Sequence, residues 1–160
     1  MFDTFLKIID HPIRFRLFLL TKLPSAYFSG VRIKHIDGEK CTVVVPYKWF
    51  SKNPFSSTYF ACLSMAAEMS TGVLAMGHSF KSKPAVSMLV TKVESNYFKK
   101  AIGITAFTCN DGAMILSAIR DAVQSGESRS VITSSVGLNE SDETVATFFI
   151  TWSFKAKLPQ

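Results

Sequence analysis

Glu68 is the residue that could do chemistry in the least usual setting. It is the only charged residue in a long apolar stretch, residues 56–75, which is predicted to be a helix. An ionised carboxylate in such surroundings is costly unless it is paired or hydrated. If it faces a pocket, burial raises its pKa, and it can act as a base near neutral pH. The other interpretation is a structural glutamate that reaches solvent or pairs with a lysine.

The side of this helix that carries Glu68 is smaller and more polar than the rest. In helical steps, Phe60 and Ser64 precede Glu68 on one stripe, and Thr71 and Gly72 follow it. A lone carboxylate on a small-residue stripe is difficult to explain by packing alone. We therefore expect this stripe to line a ligand cleft.

The other chemically capable residues have simpler interpretations. Asn53 precedes Pro54, where an asparagine often only makes a turn. His35 and His78 belong to no partner motif, and we interpret them as structural or exposed. The cysteines are far apart and have no zinc-site spacing with any histidine; they are Cys41, Cys62 and Cys109. No metal site is predicted, and buried free thiols indicate a reducing compartment, so we expect a cytoplasmic protein.

The elements that must position these residues alternate between helices and paired strands. The pattern predicts helices over residues 3–21 (interrupted at Pro12), 56–75 and 110–126, and strands over 31–35, 41–46, 86–97, 101–109, 129–138 and 144–154. Ser56 or Ser57 is predicted to cap the central helix. Antiparallel strand pairs with a few helices indicate an α+β protein. We expect a single domain over residues 1–160, with an N-terminal helical extension over 1–23.

Composition excludes several classes of protein. Hydrophobic residues make up 48% of the chain and charged residues 19%, which is typical of a folded globular domain. The net charge of +6 comes from scattered lysines and arginines, with Lys99 and Lys100 as an adjacent pair. Because no arginine-rich run or RNA-binding aromatic pattern is present, nucleic-acid binding is not expected. The basic excess fits a solvated surface, or a patch that attracts a phosphorylated cofactor.

Two segments have some features of targeting or membrane sequences. Residues 1–22 contain several charged residues and no cleavage site, so a secretory signal is not predicted. Residues 59–77 are nearly long and apolar enough to span a membrane, but Glu68 at their centre would be costly in lipid. We therefore expect a helix buried within a globular domain, without integral membrane insertion.

Several segments together resemble an uncharacterised branch of the hotdog-fold thioesterase superfamily. The matching segments are residues 23–27, 30–32, 45–55, 65–68, 70–72 and 150–154, so the resemblance covers almost the whole chain. It implies a curled antiparallel sheet wrapped around a long central helix, with an extra N-terminal helix and a second helix. It also implies an acyl-CoA or acyl-carrier-protein thioester hydrolase.

The resemblance to phenylacetate-pathway-type thioesterases suggests roles for individual residues. In those enzymes an asparagine precedes a His-Gly-Gly segment, and an aspartate or glutamate follows within the helix. Asn53 and Glu68 correspond in type and separation. Glu68 would then be the general base or nucleophile, and Asn53 would position water or substrate. The amide near Phe60 would stabilise the oxyanion.

This chain departs from that pattern at the helix start, which reads Tyr59-Phe60-Ala61 where the glycines would stand. Tyr59, Phe60, Ser64 and Thr71 are the candidate substrate-binding residues. Every residue except proline keeps its amide, but the Phe60 ring could occupy room that a thioester needs.

The resemblance further implies the partners. Hotdog proteins pair edge to edge, so a homodimer or a dimer of dimers is expected, with the acyl chain between helices. Coenzyme A would be part of the substrate and no resident cofactor is expected; Lys81 and Lys83 are candidates to meet its phosphates. Two alternatives remain open. One is a non-catalytic acyl-CoA or lipid-binding dimer, and the other is a membrane-peripheral protein using its basic N-terminal helix.

Overall fold

The computed structural model describes residues 2–9 and 11–157. It begins with three helices, α1 (Phe2–Ile9), α2 (Pro12–Lys22) and α3 (Pro24–Ser29). The predicted interruption at Pro12 is confirmed, because Pro12 stands in the first turn of α2, where its missing N–H costs nothing. The short α3 was not predicted; it ends at Gly30, whose φ of 78° suits glycine.

Six antiparallel strands form one sheet. They are β1 (Arg32–Ile36), β2 (Cys41–Pro46), β3 (Val86–Tyr97), β4 (Ile104–Cys109), β5 (Arg129–Leu138) and β6 (Thr144–Ala156). The strand order is β1-β2-β4-β5-β6-β3, so β3 lies at one edge of the sheet beside β6. All six strands were predicted, with bounds that differ by a few residues. The long edge strand β3 is the one that follows the central helix.

The central helix, α4, spans Phe60–Ser79, not 56–75 as predicted. Ser56 has a φ of 58°, which excludes it from the helix, and the Ser57 hydroxyl bonds with the Asn53 side chain. The prediction that either serine caps the helix was therefore wrong, and Tyr59 precedes the first turn without a side-chain cap. The turn formed around Asn53 delays the helix start.

The sheet curls around α4, which contacts β1, β2, β4, β5 and β6. A further helix, α5 (Gly112–Ser125), packs beside it. Of the described helices, α4 is the one long and apolar enough to cross a membrane, but 67% of its most apolar window is buried inside the structure. This is the position of a core helix in a soluble protein. The predicted α+β architecture, a curled sheet around a long central helix, is confirmed.

Candidate active site

The Glu68 carboxylate faces a cavity of about 470 Å³ between α4 and the N-terminal helices. No described residue forms an ion pair with this carboxylate or donates a hydrogen bond to it. Burial raises the pKa of the Glu68 carboxyl above its ordinary value. A partly buried carboxylate in apolar surroundings, with no partner to hold its charge, is suited to accept a proton.

Gly72 and Trp152 form the surface against which this carboxylate lies, which we call the seat of the carboxylate. Glu68 and Gly72 lie one helical turn apart, and a Cβ on Gly72 would stand only 2.9 Å from Glu68 Oε1 and 3.1 Å from Trp152 Cζ2. The Trp152 ring is fixed because its Nε1–H donates to Thr71 Oγ1 at 2.9 Å. The Thr71 hydroxyl in turn donates to the Glu68 carbonyl at 2.9 Å. Thr71 is fully buried, so the structure places it behind the seat, not on the cavity wall.

Gly72→Ala should displace the Glu68 carboxylate, because the added methyl group would overlap it. A misplacement of about 1 Å in a catalytic group can cost about 100-fold in rate, so we expect a loss of that order in kcat/KM. The check is thioester hydrolysis by the purified variant, with the melting temperature as a measure of folding. Gly38→Ala is the matched control, since nothing lies within 4 Å of its Cβ position. An equal loss in both variants would contradict the assignment.

Asn53 lies at a second cavity, a more open groove of about 760 Å³ at the start of α4. Its side chain is already engaged: Oδ1 accepts hydrogen bonds from the amides of Phe55 (2.9 Å) and Ser57 (3.2 Å). Its Nδ2 donates to Ser57 Oγ at 3.1 Å. These bonds form the turn that leads into α4. Asn53 therefore fixes the backbone at the helix entrance.

The first turn of α4, which begins beside the same groove, has free backbone donors. Among the described residues, none accepts a hydrogen bond from the amides of Phe60 or Ala61. The neighbouring Tyr59 amide is bonded to the Ser51 carbonyl at 2.7 Å. Tyr59 and Phe60 line the groove, with ring centroids 4.9 Å apart. Unpaired amides at a helix N-terminus can stabilise developing negative charge.

The predicted residues therefore fall into two places in one chain. Glu68 lies at the first cavity, while Asn53, Tyr59 and Phe60 lie at the second. Ser64 lies on α4 between these two positions and is half-buried. Lys81 lines the first cavity; Lys83, the other predicted phosphate contact, does not appear in its lining. The stripe along α4 thus joins two cavities and does not form a single cleft.

Sequence reasoning missed the residues that enclose Glu68. Arg14 on α2 lines the first cavity, together with apolar residues of α1 and α2. No sequence pattern predicts this wall, because helical periodicity identifies an apolar face but not the element that it covers.

The second cavity is lined by Lys52, Lys99 and Lys100, of which Lys99 is paired with Glu143.

His35 and His78 do not line either cavity. His35 Nε2 is 2.9 Å from Asp37 Oδ2, and the His78 Nε2–H donates to the Gly38 carbonyl at 2.8 Å. Burial lowers the pKa of His78. Within the part of the chain that the structure describes, no group of three or more histidine, cysteine, aspartate or glutamate side chains could hold a metal ion.

Comparison with known proteins finds no matching family model and no matching curated protein. Solved structures do match. A Pseudomonas aeruginosa protein described as a "probable thioesterase" has a TM-score of 0.77 at 19% identity, covering 91% of this chain and 97% of its own. A Chlorobaculum tepidum protein of unknown function has a TM-score of 0.77 at 15% identity, covering 91% and 94%. A Haemophilus influenzae thioesterase has a TM-score of 0.61 at 11% identity, covering 90% and 91%.

At these identities the likeness carries the fold and not the role of any residue. The sheet order, the long helix α4 and these structures together give one conclusion: the chain has the hotdog fold, in the form that is also found in thioesterases.

Proposed function

We propose that this protein is an acyl-thioester hydrolase that uses Glu68 as its general base. The observation that carries the proposal is the unpaired Glu68 carboxylate facing an apolar cavity. Burial raises its pKa toward the range where a base works best near neutral pH. No described residue supplies a partner for this charge, and the carboxylate lies in a mostly apolar cavity. The same fold in solved structures that are named thioesterases supports the proposal.

The proposed reaction needs only water. Glu68 removes a proton from a water molecule as the water oxygen bonds to the thioester carbonyl carbon. The carbonyl electron pair moves to oxygen, where a backbone amide at the start of α4 stabilises the negative charge. The carbon–sulfur bond then breaks, and the Glu68 carboxyl returns its proton to the leaving sulfur. The products are a carboxylic acid and a thiol.

A homodimer formed through β3 would bring the two cavities together. The second half of β3 lacks a cover in one chain: Val93 and Tyr97 are 47% and 45% exposed. Their cross-strand partners, Ile150 and Ala146, are fully buried on the helix-facing side of the sheet. Residues directly opposite each other share a face, so Val93 and Tyr97 also point inward. A second copy beside this edge would cover them.

The two cavities lie at opposite ends of β3, so antiparallel pairing of two copies brings unlike cavities together. Met88, near the start of β3, lines the Glu68 cavity, and Tyr97, at its end, lines the groove of Phe60. At about 3.3 Å per residue these positions are about 30 Å apart in one chain. Antiparallel pairing of two copies of β3 places the start of one strand beside the end of the other. The Glu68 cavity of one protomer then adjoins the helix entrance of its partner.

The remaining predicted residues take supporting roles in this proposal. Asn53 positions the α4 entrance through its turn, and Thr71 positions Trp152 beneath the carboxylate. Tyr59, Phe60 and Ser64 flank the bound thioester. The phosphates of coenzyme A, or the phosphopantetheine of a carrier protein, would meet lysines near the two cavities. The three buried free cysteines support a cytoplasmic location.

One observation favours a second candidate, a non-catalytic acyl-CoA or lipid-binding dimer. The Phe60 side chain is 56% exposed and stands in the groove where the glycines of related enzymes leave room. It could crowd the thioester carbonyl without preventing ligand binding. In that case Glu68 would take no part in chemistry.

Thiol release by the purified protein, measured across a panel of acyl-CoA substrates, separates the two functions. The hydrolase predicts release that is catalytic in protein and saturable in substrate. If no substrate releases thiol while acyl-CoA raises the melting temperature, the binding function replaces it.

A further inference from the structure

The N-terminal helices are built against the C-terminal half of α4. A Cβ on Gly77 would lie 2.4 Å from the Phe2 ring, so this glycine makes the room in which α1 docks. The Phe2 ring also packs against His78, with centroids 4.8 Å apart, and Phe5 packs against Phe80 at 5.4 Å. At the other end, Ser29 of α3 contacts Cys62 near the start of α4. The N-terminal segment thus bridges along α4 and is fixed at both ends.

The Glu68 cavity lies beneath this bridge and follows α4. Glu68, Gly72, Met76 and Phe80 all line it and are spaced one helical turn apart. At about 1.5 Å per residue they mark a channel about 18 Å long. The opposite wall consists of apolar residues from α1, α2 and the segment after α2: Phe5, Ile8, Ile9, Phe18, Leu19 and Leu23.

The lining indicates the chemistry of the occupant. Apart from Glu68, the charged residues that the structure describes in this lining are Arg14 and Lys81, both exposed. The rest is almost entirely aliphatic, aromatic or methionine; Met69, Met76 and Met88 can adapt to an irregular chain. The volume of about 470 Å³ falls within the usual range of small-molecule sites. A flexible hydrocarbon fits this channel, whereas a hydrated polar group would leave its hydrogen bonds unmade.

We propose that the channel between α4 and the chain's own helices α1 and α2 holds the acyl group of the substrate, which is a medium- or long-chain unbranched aliphatic thioester. This rests on the proposed function, because the reacting carbonyl must lie beside Glu68 at one end of the channel. The N-terminal helices are then the element that determines acyl length. The resemblance alone placed the acyl chain between helices of two protomers; here the N-terminal helices of one chain form the opposite wall.

The test compares acetyl-, butanoyl-, hexanoyl-, octanoyl- and decanoyl-CoA in hydrolysis by the wild type and by variants of the wall. For the wild type, kcat/KM should rise about fourfold per added methylene until the channel is full. Ile8→Trp narrows the channel and should lower kcat/KM at least tenfold more for decanoyl-CoA than for acetyl-CoA. Phe18→Ala widens it and should move the optimum to a longer chain.

Ile13→Trp is the matched control, because Ile13 is an apolar residue of α2 that is 72% exposed and outside the lining. It should keep the wild-type chain-length profile. Circular dichroism and the melting temperature show whether each variant is folded; if Ile8→Trp unfolds, Phe18→Ala carries the test alone. A flat chain-length profile in the wild type, or equal profiles for folded wall variants and Ile13→Trp, overturns the proposal.

Binding of non-hydrolysable acyl-CoA thioethers separates failure of the channel from failure of the hydrolase. If calorimetry shows affinity rising with chain length in the wild type and not in Ile8→Trp, the acyl channel stands even when no thioester is hydrolysed. If thioesters are hydrolysed without chain-length dependence, the hydrolase stands and the channel is wrong. A fall in oligomer mass for Ile8→Trp with an unchanged chain-length profile would assign this face to a second copy and overturn the channel.

Discussion

Glu68→Gln should lower kcat for thioester hydrolysis by about 10²- to 10⁴-fold, the usual contribution of a general base. Glutamine keeps nearly the same shape in the seat formed by Gly72 and Trp152, but it cannot accept a proton from water. The measurement is thiol release at saturating acyl-CoA. Binding of acyl-CoA should persist, because the apolar lining of the cavity is unchanged.

Glu127→Gln is the matched control for this substitution. Glu127 is exposed and paired with Arg129 at 3.2 Å, far in sequence from both cavities. Its variant should hydrolyse thioesters at the wild-type rate. Wild-type rates in Glu68→Gln would remove Glu68 from the chemistry and leave the fold assignment intact.

The pH dependence of the same variant gives an independent readout. Because burial raises the pKa of Glu68 in the folded state, folding favours the protonated form. The stability that the folded protein gains from protonated Glu68 is fully present below the ordinary pKa of about 4.5. It is lost as the pH rises through the higher folded-state pKa. Glu68→Gln should therefore melt at a higher temperature than the wild type near pH 8, and the difference should shrink toward pH 4.5. Wild-type kcat/KM should rise over the same window, since the ionised form is the base.

Phe60→Pro should lower kcat by about 10²- to 10³-fold, the usual cost of removing one oxyanion donor. Proline deletes the Phe60 N–H, which no described residue uses. It is tolerated at the first position of a helix, and Tyr59 already has the extended conformation, φ −61° and ψ 133°, that suits the residue before a proline. The helix should therefore remain intact.

Phe60→Ala is the control that isolates the amide. It removes the aromatic ring and keeps the N–H, so the ratio of the two variants' rates measures the donor alone. If both variants lose the same activity, the ring matters and the amide does not. If Phe60→Ala is faster than the wild type, the Phe60 ring does occupy room that the thioester needs.

Much of the fold could be predicted because its elements have strong local signals. Alternation over 144–154 predicted β6, which spans Thr144–Ala156, since one face of that strand is buried against α4. The central helix was expected from its continuous apolar sequence. Its start was misplaced because serine is a good cap by type, whereas here the Asn53 side chain takes Ser57 into a turn. Such a turn depends on several simultaneous contacts, which single-residue preferences do not contain.

The candidate site was only partly predictable. The sequence identifies Glu68 because a carboxylate in an apolar helix is rare. It could not show that Gly72 makes room for the carboxylate, or that Thr71 serves Trp152 and not a ligand. These roles depend on contacts between distant segments. The enclosing wall formed by α1 and α2 is likewise a matter of packing.

Mixing the Glu68→Gln and Phe60→Pro variants tests the shared site most directly. After co-refolding at equal amounts, half of the dimers should contain one chain of each kind. In a mixed dimer, one site receives both intact residues and the other receives neither, so about one quarter of the wild-type activity should return. If Glu68 acts with the Phe60 amide of its own chain, every site in the mixture is defective. Activity that stays at the level of the two separate variants would then contradict the account.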